Sequence, residues 1–143
     1  MSTLRGGQDG GEAGADSGAR SVVLRHTLAD GSEHLDWMIE RTDGSPGAGL
    51  ITFRLSIGTD LFRAETFQAE RIGDHRRDYL MYEGPVSSGR GRVDRVARYR
   101  VVDLAADEAR LRVVLEQTGG GGRMKWTGEQ EIGPHWKFVG VVC

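Results

Sequence analysis

The sequence predicts an all-β protein: a compact, closed or partly closed antiparallel β-barrel with little helix. Short apolar runs alternate with polar residues at strand period, Gly, Asp and Ser turn signals separate these runs, and no segment has a sustained helical period. The chain has 143 residues, which suits one domain. We expect residues 21–143 to form that domain. Residues 1–20 have almost nothing to bury and are expected to be a disordered N-terminal tail.

The strands are predicted from alternation in chain order. In residues 34–41, Leu35, Trp37 and Ile39 point to one face, and His34, Asp36, Met38 and Glu40 point to the other, polar face. Residues 60–73 carry apolar side chains without alternation, so a short helix and an ordered loop both fit them. The glycine run 119–122 predicts a hairpin loop. The predicted strands are 21–25, 34–41, 49–58, 79–82, 92–103, 109–116, 123–132 and 136–142.

Composition excludes several classes of protein. The one cysteine, Cys143, excludes a disulfide scaffold, and the 22 glycines have no Gly-X-Y period and so exclude collagen. No apolar stretch reaches membrane-spanning length, and residues 1–20 lack the hydrophobic segment of a signal peptide. We therefore expect a cytoplasmic protein with no membrane partner.

The arginines are concentrated in one part of a mildly acidic chain. The formal net charge is −2, yet residues 71–100 hold eight arginines against four acidic residues. Arginine forks match phosphate oxygens, so this segment is a candidate site for a polyanion. A solvated strand face explains the same pattern equally well.

A His-x-Asp pair is the clearest chemical feature. His34 and Asp36 are two residues apart on a predicted strand, so their side chains share its polar face. His26 ends the preceding strand, and the intervening turn brings it back alongside them. An imidazole–imidazole–carboxylate set can hold a divalent metal with open positions. The alternative is an ordinary hydrogen-bonded pair on the surface.

A second constellation lies in residues 74–85. It contains His75, which can donate a hydrogen bond to a phosphate or protonate a leaving oxygen, and Tyr79, which can orient that imidazole. The alternative is a polar turn followed by an edge strand with its tyrosines packed at the rim.

Three motifs in this order resemble one known family. They are His26 followed by residues 34–40, residues 74–85 with the pattern Asp-His-x-x-x-Tyr-x-x-Tyr-Glu-Gly-Pro, and residues 88–93 with the pattern Ser-Gly-Arg-Gly-Arg-Val. The resemblance is to the 3′-phosphoesterase domain of bacterial DNA ligase D, an end-joining DNA-repair enzyme, and especially to its small stand-alone relatives. It spans about residues 21–142.

The resemblance implies a specific activity and specific site residues. The family is a β-barrel hydrolase that uses manganese or a similar divalent ion to remove a 3′-terminal ribonucleotide and a 3′-phosphate. Its metal ligands fall on His26, His34 and Asp36. Its phosphate-contacting histidine falls on His75, and its tyrosine falls on Tyr79. The implied partners are 3′ ends of DNA or RNA–DNA, and a ligase or polymerase acting in trans.

The sequence also departs from the family pattern. Seven residues rather than five separate His26 from His34. Three positions at which the family grips phosphate with a cation carry the apolar residues Met38, Ile57 and Phe67. Such cations neutralise charge that develops during phosphate-ester hydrolysis, so their loss predicts low activity unless other cations replace them.

Three functional hypotheses remain from the sequence. The first is a divalent-metal 3′-phosphoesterase in which Arg76, with Arg90 or Arg92, replaces the missing phosphate-binding cations. The second is a catalytically degenerate β-barrel that binds nucleic acid or phosphate without turnover. The third is an unrelated small-molecule role, which predicts no metal uptake.

Overall fold

The computed structural model describes residues 18–42 and 48–143. Almost all regular structure in these residues is extended, with one short 3-10 helix at Arg77–Leu80. The strands are β1 (Arg20–Thr27), β2 (Glu33–Ile39), β3 (Leu50–Leu55), β4 (Thr66–His75), β5 (Gly84–Pro85), β6 (Arg92–Ala106), β7 (Arg110–Gln117), β8 (Arg123–Gln130) and β9 (His135–Val142).

The strands form one antiparallel sheet that closes on itself. The order is β1-β2-β3-β4-β9-β8-β7-β6-β5, and β1 also pairs with β6, so eight strands make a ring to which β5 is added. The 15-residue β6 makes this possible, because its first half pairs with β1 and its second half pairs with β7. The predicted all-β antiparallel fold with little helix is confirmed.

An aromatic core fills the interior of the ring. Trp37, Phe53, Trp126 and Phe138 are fully buried, and Phe67 packs against them. The Phe67 ring lies 4.7 Å from Trp126 and 5.1 Å from Phe138, and Trp37 lies 5.3 Å from Phe138, measured between ring centroids. Contacts of this kind add to the burial of large apolar surfaces, so the eight strands of the ring are held together by their inward side chains.

A second, smaller core covers the outer face of β1 and β2. Leu80 of the 3-10 helix inserts against Val22, Leu24, Met38 and Leu50 on that face. We expected the outer face of β2 to be a displayed polar face, and this is wrong for most of it. Met38 is 1% exposed because Leu80, Tyr79 and Val86 pack against this face, and Asp36 is only 3% exposed.

Two predicted elements are corrected. Residues 79–82 were expected to be extended, but Tyr79 and Leu80 belong to the 3-10 helix, whose turn aims Leu80 inward. Residues 60–73 were expected to be helix or loop, but most of them form β4 from Thr66 onwards. Alternation in β4 is weak because its inward positions include the small Ala69 and also Arg71, which lies 5.4 Å from the Phe53 ring.

The ordered chain begins slightly earlier than expected. Ala19 is buried and Arg20 opens β1, so the last residues of the predicted 1–20 tail belong to the fold. Residues 1–17 of that tail lie outside the described residues. Within the described ranges, no helix has the length and apolar character needed to cross a membrane.

We expect Ser21→Ala to lower the free energy of unfolding by about 1–3 kcal/mol, because it leaves a buried indole N–H without an acceptor. The Ser21 hydroxyl accepts from Trp37 Nε1 at 2.9 Å and donates to the Met38 carbonyl at 2.8 Å. Denaturant titration measures the loss. Ser56→Ala, at an exposed position, is the control and should change stability by less than about 0.5 kcal/mol. Equal effects of the two substitutions would contradict this account.

Candidate metal centre

Strand register brings His26, His34 and Asp36 together. His26 of β1 pairs directly with His34 of β2, and Asp36 pairs with Leu24 two residues further along. Directly paired residues share a face of the sheet, as do residues two apart on one strand. All three side chains therefore lie on the outer face, and the sequence prediction of a shared face holds. The chain between His26 and His34 turns at Ala29–Gly31 and leaves this pairing intact.

The three side chains are within metal-binding distance of one another. One ligand atom from each residue can be chosen so that all lie within 4.8 Å of one another. His34 Nε2 is 3.3 Å from Asp36 Oδ1, and His26 Nδ1 is 3.9 Å from Asp36 Oδ2. The imidazole rings of the two histidines lie edge to face, 4.9 Å apart.

Two atoms of this group are buried without a hydrogen-bond partner. They are His34 Nε2 and Asp36 Oδ1, the atoms that face each other. Buried polar atoms are rarely left unpaired, because burial without a partner costs about 1–3 kcal/mol. A divalent cation between them would satisfy both. The residues present therefore fit a metal ion, and two nitrogens with one carboxylate suit manganese, iron or zinc.

A backbone carbonyl orients His26. His26 Nε2 lies 2.8 Å from the Arg90 carbonyl oxygen. A carbonyl can only accept, so Nε2 carries a proton, and in the neutral imidazole it is Nδ1, the nitrogen that faces Asp36, that has the lone pair. Metal-ligating histidines commonly have such a partner on the second nitrogen. The motif around Gly91 thus supports the centre through its backbone.

Burial keeps His34 in the form that binds metal. Burial of the imidazole lowers the pKa of His34 below its usual value, while Asp36 acts in the opposite direction. The positive charge of Arg54 and the neighbouring His26 lower the pKa further. The neutral imidazole, the ligating form, is therefore favoured at neutral pH.

Arg54 is the site residue that the sequence reasoning missed. It pairs with Asp36 across β2 and β3, so both side chains project from the outer face. Arg54 Nε is 3.9 Å from Asp36 Oδ1, and the arginine side chain is 43% exposed. Arg54 lies between the buried Phe53 and Leu55, as alternation along a strand requires of an outward residue, but only the strand register places it opposite Asp36.

His75 and Tyr79 lie next to each other. They are separate from the metal group, which consists of His26, His34 and Asp36. His75 pairs with Leu50, four residues along β3 from Arg54, which is roughly 13 Å of strand. The His75 and Tyr79 rings are 5.6 Å apart, and His75 Nδ1 donates to the Gly73 carbonyl at 3.0 Å. The neutral imidazole therefore leaves Nε2 as an acceptor. Their catalytic roles stay predictions.

The three arginines proposed to bind phosphate lie in different places. Arg92 pairs with Thr27 and lies on the sheet face opposite to His26, and its guanidinium is held by Asp94 at 2.9 Å. The Arg90 side chain donates to Ser87, at 2.9 Å to its carbonyl oxygen and 3.1 Å to its hydroxyl. Arg76 is exposed beside His75. No guanidinium of these three arginines has a hydrogen bond or ion pair with Asp36.

Two of the three apolar positions at which the family carries cations are parts of the cores. Met38 is buried in the outer core, and Phe67 packs inside the ring. Ile57 follows β3 and is 49% exposed. The side chains at 38 and 67 are thus parts of the two cores, and neither position can contribute a phosphate-binding cation without rebuilding a core.

No protein-family model matches this chain, and a search of curated proteins finds no match.

Proposed function

We propose that this protein is a divalent-metal-dependent phosphoesterase that removes a phosphate or terminal ribonucleotide from 3′ ends of nucleic acid. The observation that carries the proposal is the group of His26, His34 and Asp36, in which the buried His34 Nε2 and Asp36 Oδ1 lie 3.3 Å apart and neither has a hydrogen bond to any other residue. Burying such a group lowers the stability of the fold unless a ligand such as a metal ion binds it.

The geometry of the group supports hydrolytic rather than purely structural use of a metal. Three protein ligands leave coordination positions open, whereas structural sites are usually closed by four. A divalent ion held there supplies Lewis-acid polarisation of a phosphoryl oxygen and a more acidic bound water. His34 is kept neutral by burial, and the Arg90 carbonyl holds His26 with Nδ1 towards Asp36.

The choice of substrate comes from the motifs. The patterns at 34–40, 74–85 and 88–93 resemble the ligase D phosphoesterase, which acts on 3′ ends with manganese. The local excess of positive charge in residues 71–100 supports an anionic substrate such as nucleic acid. The imidazole of His75, with Tyr79 beside it, is proposed to assist at the phosphate or the leaving oxygen.

A non-catalytic phosphate- or nucleic-acid-binding protein is the second candidate. It is favoured by the apolar residues Met38, Ile57 and Phe67 and by the separation of His75 from the metal group. A protein of this kind would retain metal and phosphate binding after losing turnover.

Hydrolysis of a 3′-phosphorylated DNA oligonucleotide distinguishes the candidates. We expect the protein to release phosphate with Mn²⁺, and we expect release to stop with a chelator and in the His34→Ala/Asp36→Ala variant. The same oligonucleotide phosphorylated at its 5′ end is the control for end specificity and should remain intact. Metal and oligonucleotide binding without turnover would favour the second candidate. The absence of metal uptake would contradict both.

A further inference from the structure

Arg54 is placed to contact an anion that also contacts the metal group. Its Nε lies 3.9 Å from Asp36 Oδ1, which is beyond hydrogen-bond distance. Among residues 18–42 and 48–143, the Arg54 side chain makes no hydrogen bond, and Asp36 is its one ion-pair partner. A guanidinium has five N–H donors, so Arg54 retains donors for a ligand.

A groove opens beside Arg54. It has a volume of about 440 Å³ and is lined by residues of β2, β3, β4 and β9 and by the two residues that follow β3. His34 and Arg54 are among its lining residues, as are the polar side chains of Glu33, Gln68, Glu70 and His135. Arg54 is the single arginine or lysine among its lining residues. The lining also carries two carboxylates, Glu33 and Glu70, so an anion that enters the groove finds its one fixed positive charge at Arg54, next to a metal ligand.

The charge arrangement is unfavourable for a metal alone. A guanidinium beside Asp36 repels a divalent cation and lowers its affinity, because both are positive. The same arrangement is favourable when a phosphate group bridges the two, since its oxygens can accept from arginine and bind the metal together.

We propose that Arg54 binds the phosphate group of the substrate beside the metal group. This rests on the proposed function and deepens it. Arg54 supplies the phosphate-binding cation that the apolar residues Met38, Ile57 and Phe67 do not provide. It takes the place of Arg76, Arg90 and Arg92, to which the sequence hypothesis gave this role. The groove that it faces receives the group attached to that phosphate.

Binding of inorganic phosphate to Arg54 variants tests the assignment. Phosphate and Mn²⁺ affinities are measured separately for the wild type, Arg54→Gln and Arg54→Lys, with phosphate titrated into both metal-free and Mn²⁺-loaded protein. We expect Arg54→Gln to weaken phosphate binding by about 10- to 100-fold. Arg54→Lys should recover part of that loss because it keeps the charge without the fork. Mn²⁺ affinity should stay equal or increase.

Arg112→Gln is the matched control. Arg112 is also a strand arginine, 50% exposed, with one carboxylate, Asp103, at 3.7 Å. It lies on β7, opposite β3 in the ring, and its substitution should leave phosphate and metal affinity unchanged.

The outcomes separate this inference from the proposed function. Unchanged phosphate affinity in Arg54→Gln, or no phosphate binding by the wild type, would overturn the role of Arg54. Loss of Mn²⁺ affinity with unaltered phosphate binding would also overturn it, because Arg54 would then only position Asp36. Phosphate binding that depends on Arg54 supports the inference even if the protein shows no turnover, an outcome that defeats only the phosphoesterase proposal.

Discussion

Asp36→Asn is expected to weaken Mn²⁺ binding by at least about 100-fold. The substitution preserves the shape of the side chain but removes the negative charge between two imidazoles, and even groups that only support a metal ligand are worth 10- to 100-fold. The metal-free protein should be equally stable or slightly more stable, because the substitution makes a buried carboxylate neutral, and that carboxylate is only 3% exposed. Calorimetric titration and thermal unfolding with and without metal measure both quantities.

Asp94→Asn is the control for that substitution. Asp94 lies on β6, outside the metal group, and its carboxylate pairs with Arg92 at 2.9 Å. The control should bind Mn²⁺ as the wild type does, and the metal should still raise its unfolding temperature. If Asp36→Asn binds Mn²⁺ with wild-type affinity, the assignment of the metal ligands is wrong.

Gly91→Ala is expected to cost roughly 2–5 kcal/mol of stability and to weaken metal binding about tenfold or more. Gly91 has a φ of +87°, and a Cβ there would lie 1.9 Å from the Thr27 carbonyl oxygen and 2.9 Å from Leu28 Cα. Both are backbone atoms at the end of β1, so the loop must move away. That movement carries the Arg90 carbonyl away from His26 Nε2, which then loses its orientation.

Gly89→Ala separates backbone strain from this displacement. Gly89 is in the same loop with a φ of +68°, but a Cβ there meets nothing within 4 Å. We expect a cost of about 1–2 kcal/mol and unchanged metal affinity. Stability is measured by denaturant titration, and metal affinity by calorimetry. Equal metal affinities of the two glycine variants would show that the Arg90 carbonyl does not position His26.

Much of the fold could be predicted because inward apolar residues alternate clearly in most strands. The residues on either side of Trp37 in β2 and of Phe53 in β3 point outward. This alternation shows which face of each strand enters the core. The pattern fails in β4, where Ala69 and Arg71 occupy inward positions. It also fails at Leu80, whose burial depends on a helical turn packing over a distant sheet face.

The metal group could be predicted for a related reason. His34 and Asp36 share a face by strand parity alone, and the turn before β2 is short enough to return His26 beside them. The burial of Asp36 could not be predicted, because strand parity shows only that its side chain lies on the outer face and not that this face is covered. The place of Arg54 could not be predicted either, since ten residues separate β2 from β3 and alternation does not fix their register.

Diffraction from a crystal soaked in Mn²⁺, with data collected for the anomalous signal of manganese, tests the central claim most directly. We predict one strong anomalous peak, from a manganese ion that is coordinated by His26 Nδ1, His34 Nε2 and the Asp36 carboxylate. A fully soaked crystal without a peak at these atoms, or with manganese bound only to other residues, would contradict the account.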